Sequence, residues 1–394
     1  MTDPTALSLP RVTWSHDGIA RVAHWRSERG APPPARVVVI DDTTTADAAY
    51  SLATQGAGLL WRGDFQNARQ MLKALASRVD RPSRKAKRGP AAPSPVPGSP
   101  AMATAFHLHR QARAQRARTL GMLLIEIDAD FGIGLRRAPD WGEACLEAYG
   151  PAAEPSVVSL RELLGVVGAH EWRRQGLDVP AAGGSRHPHY GVFAPVRSEY
   201  VDLVAKAPLP AALARDSVAF DVGTGTGVLA AVLARRGVAR VIGTDNDPRA
   251  LACARENVAR LRLQDRVEVM SADLFPPGRA ALVVCNPPWV AARAASPLEH
   301  GIFDADSRML RGFLAGLAGH LAPGGEGWLV LSDLAEHLGL RTRAALDEWI
   351  EAAGLRVEGR LDVRPRHPKA ADASDPLHAA RAAEVTSLWR LVAA

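Results

Sequence analysis

The chain has 394 residues, long enough for two domains and a core that needs no disulfide to hold it. Its three cysteines, Cys145, Cys253 and Cys285, stand far apart without the paired spacing of a zinc site or a redox dithiol, so no metal is expected and the reading is cytoplasmic. A net charge of +6 fits an acidic partner such as RNA or a ribosome. The lack of any apolar run of about eighteen residues, or of a basic start leading into an apolar stretch, argues against a membrane span and against secretion.

In chain order, "ARVVVIDD" (35–42) and "AGLLWRGD" (57–64) read as strands, with helices over 46–54 and 66–78. Together they predict a small βαβα unit over residues 1–80. Proline, small residues and cations then replace any apolar period in "RPSRKAKRGPAAPSPVPGSP", which predicts a disordered basic linker or loop over 81–101. The following stretch, "FHLHRQARAQRARTLGMLL", reads as a helix in which Arg113 and Arg116 share a face. With Arg81, Arg84, Lys85, Lys87 and Arg88 upstream and Arg118 at its far end, it forms the most basic part of the protein, a candidate RNA contact beside the simpler reading of a solvated helix. "LLIEIDADFGIGL" predicts a strand pair and "SLRELLGVVGAHEWRRQ" an amphipathic helix, completing the amino-terminal α/β domain at 102–189. His187 and His189 flank a proline in the connector that follows, without acidic or cysteine neighbours at ligand spacing.

Residues 190–394 turn regular. Apolar runs at "SVAFDVG", "ARVIGTD", "RVEVMSAD", "ALVVCN" and "GEGWLVLSD" alternate with helices at 228–236, 249–261, 308–321 and 341–353, the pattern of a parallel sheet covered on both faces. "LRVEGRLDV" and "EVTSLWRLV" follow with no helix long enough for a parallel crossover between them, and so pair antiparallel at one end of the sheet.

Four strand ends in this half carry chemistry. Gly223, Gly225 and Gly227 lie between the first strand and its helix, where glycine lets a ligand approach the backbone and the helix amino terminus favours an anionic group. No Gly-Lys-Ser/Thr follows, which excludes a nucleotide-hydrolase phosphate loop. Asp245 ends the second strand, placed to accept the ribose hydroxyls of an adenosine group, and Asp273 ends the third, placed to accept from an adenine amine. After the fourth comes "NPPW". The Asn286 side-chain carbonyl and the Pro287 backbone carbonyl can each accept one hydrogen of a planar NH₂ group, the proline pair stiffens the backbone between them, and Trp289 can lie on the acceptor's face.

As a set, "DVGTGTG", "TDNDPRAL", "SADLF" and "NPPW" resemble the successive motifs of class I S-adenosylmethionine-dependent methyltransferases, in the branch that methylates planar nitrogens. The resemblance implies a Rossmann-like domain with a seven-stranded, mostly parallel sheet, preceded here by a smaller α/β domain. It also implies cofactor contacts from Asp221, Gly223, Thr224, Gly225, Gly227, Asp245, Asn246, Asp273, Leu274 and Asn286, with acceptor contacts from Asn286, Pro287, Pro288 and Trp289. "APVRSEYVDLV" is similar to the Pro-Arg-x-x-Thr-Glu segment of the glutamine methyltransferases that modify release factors and a ribosomal protein, implying substrate contacts from Pro195, Arg197 and Glu199. It departs from that segment in spacing and in Ser198, and Trp289 stands where tyrosine is usual. The βαβα pattern of the first half and "GVF" at Gly191 look more like the ribosomal RNA guanine methyltransferases, which keeps a base amine as the alternative acceptor. Arg364, Arg366, His367 and Lys369, between the last two strands, lie where they could reach either substrate.

Overall fold

A computed structural model describes residues 10–81, 94–151, 154–194, 199–214, 217–365 and 372–394. The chain divides into two units, Met1–Ala92 with His109–His170 and Pro93–Leu108 with Glu171–Ala394.

The amino-terminal unit opens on a hairpin that the apolar pattern did not suggest, β1 (Arg11–His16) with β2 (Ile19–Arg26), turning at Asp17-Gly18 with φ of 52° and 76°. An Asp-Gly pair between alternating strands is itself a hairpin signal. There follow β3 (Arg36–Ile40), α1 (Ala46–Thr54), β4 (Ala57–Trp61), α2 (Phe65–Val79), α3 (Pro100–Leu120, in this unit from His109), β5 (Leu123–Ile127), α4 (Gly142–Tyr149), β6 (Ser156–Ser159) and α5 (Leu160–Gln175, in this unit to His170). The Thr45 and Asp64 side chains cap α1 and α2 by accepting from Ala48 N and Gln66 N. The strands form one sheet in the order β1-β2-β6-β5-β4-β3. Its two faces are both buried: Leu59 and Leu123 pack in one apolar layer, Leu60 and Leu124 in the other.

The strand pair expected over 123–135 is a single strand. Beyond β5, Asp128 Oδ1 accepts from the backbone N–H of Asp130 (2.9 Å) and Gly132 (2.7 Å), and Phe131 takes φ of 63°, so the chain turns into a loop instead of pairing again.

The second unit holds a short hairpin, β7 (Leu177–Val179) and β8 (Gly184–Arg186), and then α6 (Glu199–Lys206), β9 (Val218–Val222), α7 (Val228–Arg235), β10 (Arg240–Asp245), α8 (Pro248–Arg260), β11 (Val267–Ser271) and β12 (Ala280–Cys285). It closes with α9 (Arg308–His320), β13 (Leu321–Ser332), α10 (Leu334–His337), α11 (Arg343–Ala352), β14 (Leu355–Val363), α12 (His378–Ala383) and β15 (Thr386–Ala393). Its seven-stranded sheet runs β11-β10-β9-β12-β13-β15-β14, parallel except that β15 pairs antiparallel with both β13 and β14. This is the Rossmann-like methyltransferase architecture. Every residue of β12 is buried; Leu282 and Val284 face one layer, Val283 and Cys285 the other, so the strand carries no polar side chain until Asn286.

The units divide the chain differently from the boundaries expected at 81–101 and 189. Residues 82–93 lie outside the described set, and with them the linker reading and the cations Arg84, Lys85, Lys87 and Arg88. From Pro93 to Leu108, however, the chain belongs to the second unit. Gly98 N donates to His337 O (2.6 Å), and Met102 and Phe106 are buried against Val290, Leu334, Leu338 and Leu377. Met102 and Phe106, with Ala105 partly buried beside them, carry the apolar contact, which is too sparse a pattern to stand out in a proline-rich sequence. No helix among the described residues is long and apolar enough to cross a membrane.

Candidate active site

The carboxyl ends of β9, β10, β11 and β12 open into a cavity of about 850 Å³. A volume of that order accommodates a nucleoside-sized ligand. Gly223 (φ 72°), Gly225 (φ 53°) and Gly227 (φ 76°) carry the turn from β9 to α7 through left-handed backbone that side chains strain to adopt. A Cβ on Gly225 would meet nothing within 4 Å, so the cavity reaches the bare backbone there. Gly227 does not line the cavity; it lets α7 approach Ala254 of α8.

Buried hydrogen bonds hold the turn. Thr224 Oγ1 donates to Asp221 Oδ2 (2.7 Å), Ala230 N donates to the same oxygen (2.9 Å), and Thr224 N donates to Thr244 O (2.8 Å). Gly225 N donates to Asp245 Oδ2 (3.0 Å), while Asp247 N donates to Asp245 Oδ1 (3.0 Å). Asp245 therefore braces the glycine turn and faces the cavity together with Asn246, Asp273 and Leu274. Leu274 keeps φ of 77°, with its carbonyl accepting from Thr244 Oγ1.

Asn286 and Pro288 line the same cavity, but Pro287 is buried outside its wall. Trp289 is placed differently from the face-on stacking expected of it. Its indole packs among apolar side chains, edge-on to Tyr200 (centroids 6.2 Å apart, planes at 90°), and its Nε1 donates to Asn286 Oδ1 at 2.8 Å. Of the other expected substrate residues two are described, and neither lines this cavity. Glu199 is buried at the start of α6 beside Leu361 and Val363, away from the large cavity; Arg364 is exposed and outside its wall. Pro195, Arg197, Arg366, His367 and Lys369 lie outside the described residues.

Several cavity residues escaped the sequence reading. Tyr200 is one. Asp304 is another: it is buried, its Oδ2 accepts from Met309 N (2.9 Å) and Leu310 N (3.2 Å) at the start of α9, and burial raises its carboxyl above the usual range. Arg293 and Arg308 add cations to the wall, and His300 adds an imidazole.

The connector at 187–193 closes one side, with Gly191, Val192 and Phe193 on the cavity. It is tied to α8. Asn257 Oδ1 accepts from His187 N (2.9 Å), and His189 Nε2 lies 2.7 Å from Glu256 Oε2, which also accepts from Arg173 (2.7 Å). Burial alone would raise Glu256, but Arg260, His189 and Arg173 bring it down to about 2. Glu256→Gln loosens this clasp and is expected to weaken cofactor binding roughly three- to tenfold, a loss of the order of one hydrogen bond, without lowering the saturated rate. Calorimetric titration with S-adenosylhomocysteine checks the first part and initial rates the second.

Residues 188–351 match the family model of the methyltransferase small domain. This part of the chain is a methyltransferase domain. Among solved structures, the ribosomal protein L11 methylase of Lactobacillus delbrueckii subsp. bulgaricus is 16% identical, with a TM-score of 0.32 over 49% of this chain and 77% of that one. A methyltransferase from Pyrococcus furiosus is 17% identical, with a TM-score of 0.35 over 52% and 91%. The B. subtilis M1A22 tRNA methyltransferase TrmK is 10% identical, with a TM-score of 0.33 over 50% and 67%. Likeness at that level carries no argument about the acceptor. No curated protein matches the chain.

The enzyme depends on S-adenosylmethionine, and the cavity suits that group: a glycine turn with bare backbone at Gly225, carboxylates at successive strand ends, and Asp221 buried at its floor. Burial, with a smaller contribution from Asp245, raises the Asp221 carboxyl to about 6 against the lowering effect of its bonds from Thr224 and Ala230. A cationic ligand favours the ionised carboxylate. Cofactor affinity in the methyltransferase domain is therefore expected to fall as pH drops through 6, about tenfold between pH 7 and pH 5, with proton release on binding in that window. Asp221→Asn is expected to flatten the profile. Calorimetry in buffers of different ionisation enthalpy reads both effects.

Proposed function

We propose that this methyltransferase domain methylates a planar NH₂ nitrogen, and that its acceptor is the side-chain amide of a glutamine in a translation protein, a release factor or a ribosomal protein. The observation that carries the reading is Asn286: an amide oxygen at the cavity wall, directly after a wholly apolar strand and ahead of two prolines. An amide nitrogen is a poor nucleophile because resonance occupies its lone pair. Carbonyl acceptors that hold its hydrogens orient it and stabilise positive charge as it attacks. Asn286 Oδ1 takes one hydrogen in this reading; Pro287, buried outside the cavity wall, is not assigned the other. Bound S-adenosylmethionine supplies an electrophilic methyl group on a sulfonium. Asp245 and Asn246 hold the ribose, Asp273 and Leu274 border the adenine, and Asp221 with the Gly223–Gly225 turn faces the methionine part. The proton leaves to water or to a neighbouring group after transfer. The connector preceding Glu199, similar to the glutamine enzymes, supports the amide over other acceptors.

A second reading has its own support in the amino-terminal unit. Arg161 at the start of α5 is partly buried and close enough to Arg29, Arg116 and Arg113 for their repulsion to add to burial in lowering its pKa; Arg116 is also bridged to Asp80 (2.8 Å). Such a cluster favours a phosphate backbone and hence a base amine of ribosomal RNA. Tritium transfer from labelled S-adenosylmethionine into a lysate lacking this protein separates the two. Protease-sensitive label supports the glutamine reading, and ribonuclease-sensitive label overturns it in favour of RNA.

A further inference from the structure

Trp289 does not face the cavity, yet its one polar atom is spent on the residue that does. Asn286 Oδ1 accepts from the indole Nε1 at 2.8 Å. Indole is a donor without an acceptor, whereas a primary amide presents a carbonyl on one side and two N–H donors on the other. Only one way up of the Asn286 amide satisfies this contact. A flipped amide would set NH₂ against N–H, losing the bond and leaving two donors face to face. The indole cannot turn aside, because Tyr200 meets it edge-on and the buried layer of Met102, Phe106 and Val290 packs beside it. A carbonyl oxygen has two lone pairs, so one remains for an incoming N–H.

We propose that Trp289 is a positioning residue: its indole N–H locks the Asn286 amide with the carbonyl as the acceptor, ready for the substrate nitrogen. The proposal rests on the reading of Asn286 given above. It gives a physical role to tryptophan at a position where the related motif has tyrosine: neither a phenol nor a phenyl ring carries a donor at the place of the indole nitrogen. It also explains why the segment from Pro93 to Leu108 is packed into this unit, since Met102 and Phe106 help hold the indole's surroundings.

The test removes the N–H and keeps the shape. Trp289 is replaced by β-(3-benzothienyl)alanine, in which sulfur stands for the indole nitrogen, and by phenylalanine, each in the wild-type and in the Asn286→Asp background. Initial rates of tritium transfer into the lysate are read at saturating S-adenosylmethionine, with cofactor Kd and Tm measured alongside. In the wild-type background the benzothienyl exchange is expected to lower the rate roughly 5- to 30-fold, the worth of one oriented hydrogen bond, with Kd and Tm unchanged. A carboxylate offers an oxygen either way up, so the same exchange is expected to cost at least about fivefold less in the Asn286→Asp background. Full activity of the benzothienyl enzyme overturns the proposal. Equal losses in both backgrounds also overturn it, because they mark a packing role only. Should Asn286→Asp be inactive, the benzothienyl rate in the wild-type background decides alone. The underlying reading fails separately, through Asn286→Ala: if that enzyme transfers methyl normally, Asn286 is not the acceptor-binding group and the lock has nothing to position.

Discussion

Asn286→Ala is expected to lower methyl transfer about 10²- to 10³-fold while leaving the cofactor Kd within about threefold. The asymmetry follows from position. Asn286 stands at the end of β12, whereas the glycine turn, Asp221 and Asp245 that form the cofactor side of the cavity belong to β9, β10 and the segments just beyond them. Truncation removes the carbonyl that orients the substrate nitrogen and the partner of the Trp289 indole in one step. Neither loss reaches the bonds from Gly225 and Asp247 to Asp245. Rates from tritium transfer and Kd from calorimetry with S-adenosylhomocysteine measure the two sides independently. A parallel collapse of both would indicate that Asn286 holds the cofactor rather than the acceptor.

Asp245→Ala should act in the opposite sense, weakening cofactor binding about 10²-fold, the equivalent of two charge-assisted hydrogen bonds of roughly 1.5 kcal/mol each. One part of that loss is direct, because the carboxylate faces the cavity where ribose hydroxyls would donate. The other is indirect: Asp245 accepts from Gly225 N and Asp247 N, and without it the turn loses its brace on the β10 side. Asp245→Asn keeps one carbonyl oxygen and is expected to fall between wild type and alanine. Burial raises the Asp245 carboxyl, so the uncharged variant carries less desolvation cost, but its NH₂ must face the N–H of Gly225 or of Asp247, and its Tm is expected to fall. An unchanged cofactor Kd for Asp245→Ala would contradict the placement of the ribose.

How far the sequence carried this account depended on whether a feature was local. The second unit could be read because its strands are continuous apolar runs ended by Asp245, Asp273 and Asn286, a pattern that survives without tertiary information. The cavity at those strand ends follows from the topology of any open parallel sheet. The orientation of Trp289 could not be read. An indole after two prolines can stack on a ligand or turn inward, and what decides it is packing against Tyr200, Met102 and Phe106, which lie 89 to 187 residues earlier in the chain. Asp304 was passed over for a related reason: it sits on a loop with no period, and only the fold returns that loop, with Arg308 at the start of α9, to the cavity. In the amino-terminal unit, the Asp17-Gly18 hairpin was a signal present and not used, whereas the false strand pair at 123–135 came from apolar residues whose backbone is captured by Asp128.

The most direct test of the central claim is to identify the atom that receives the methyl group. Lysate labelled by wild-type enzyme and tritiated S-adenosylmethionine is digested, the labelled species purified, and its methyl position fixed by mass spectrometry and by acid hydrolysis. Methyl is expected on a nitrogen that began as NH₂, released as methylamine when the acceptor is a glutamine amide and absent when Asn286→Ala is used. Methyl on oxygen, carbon or sulfur, from an enzyme that still depends on Asn286, would contradict it.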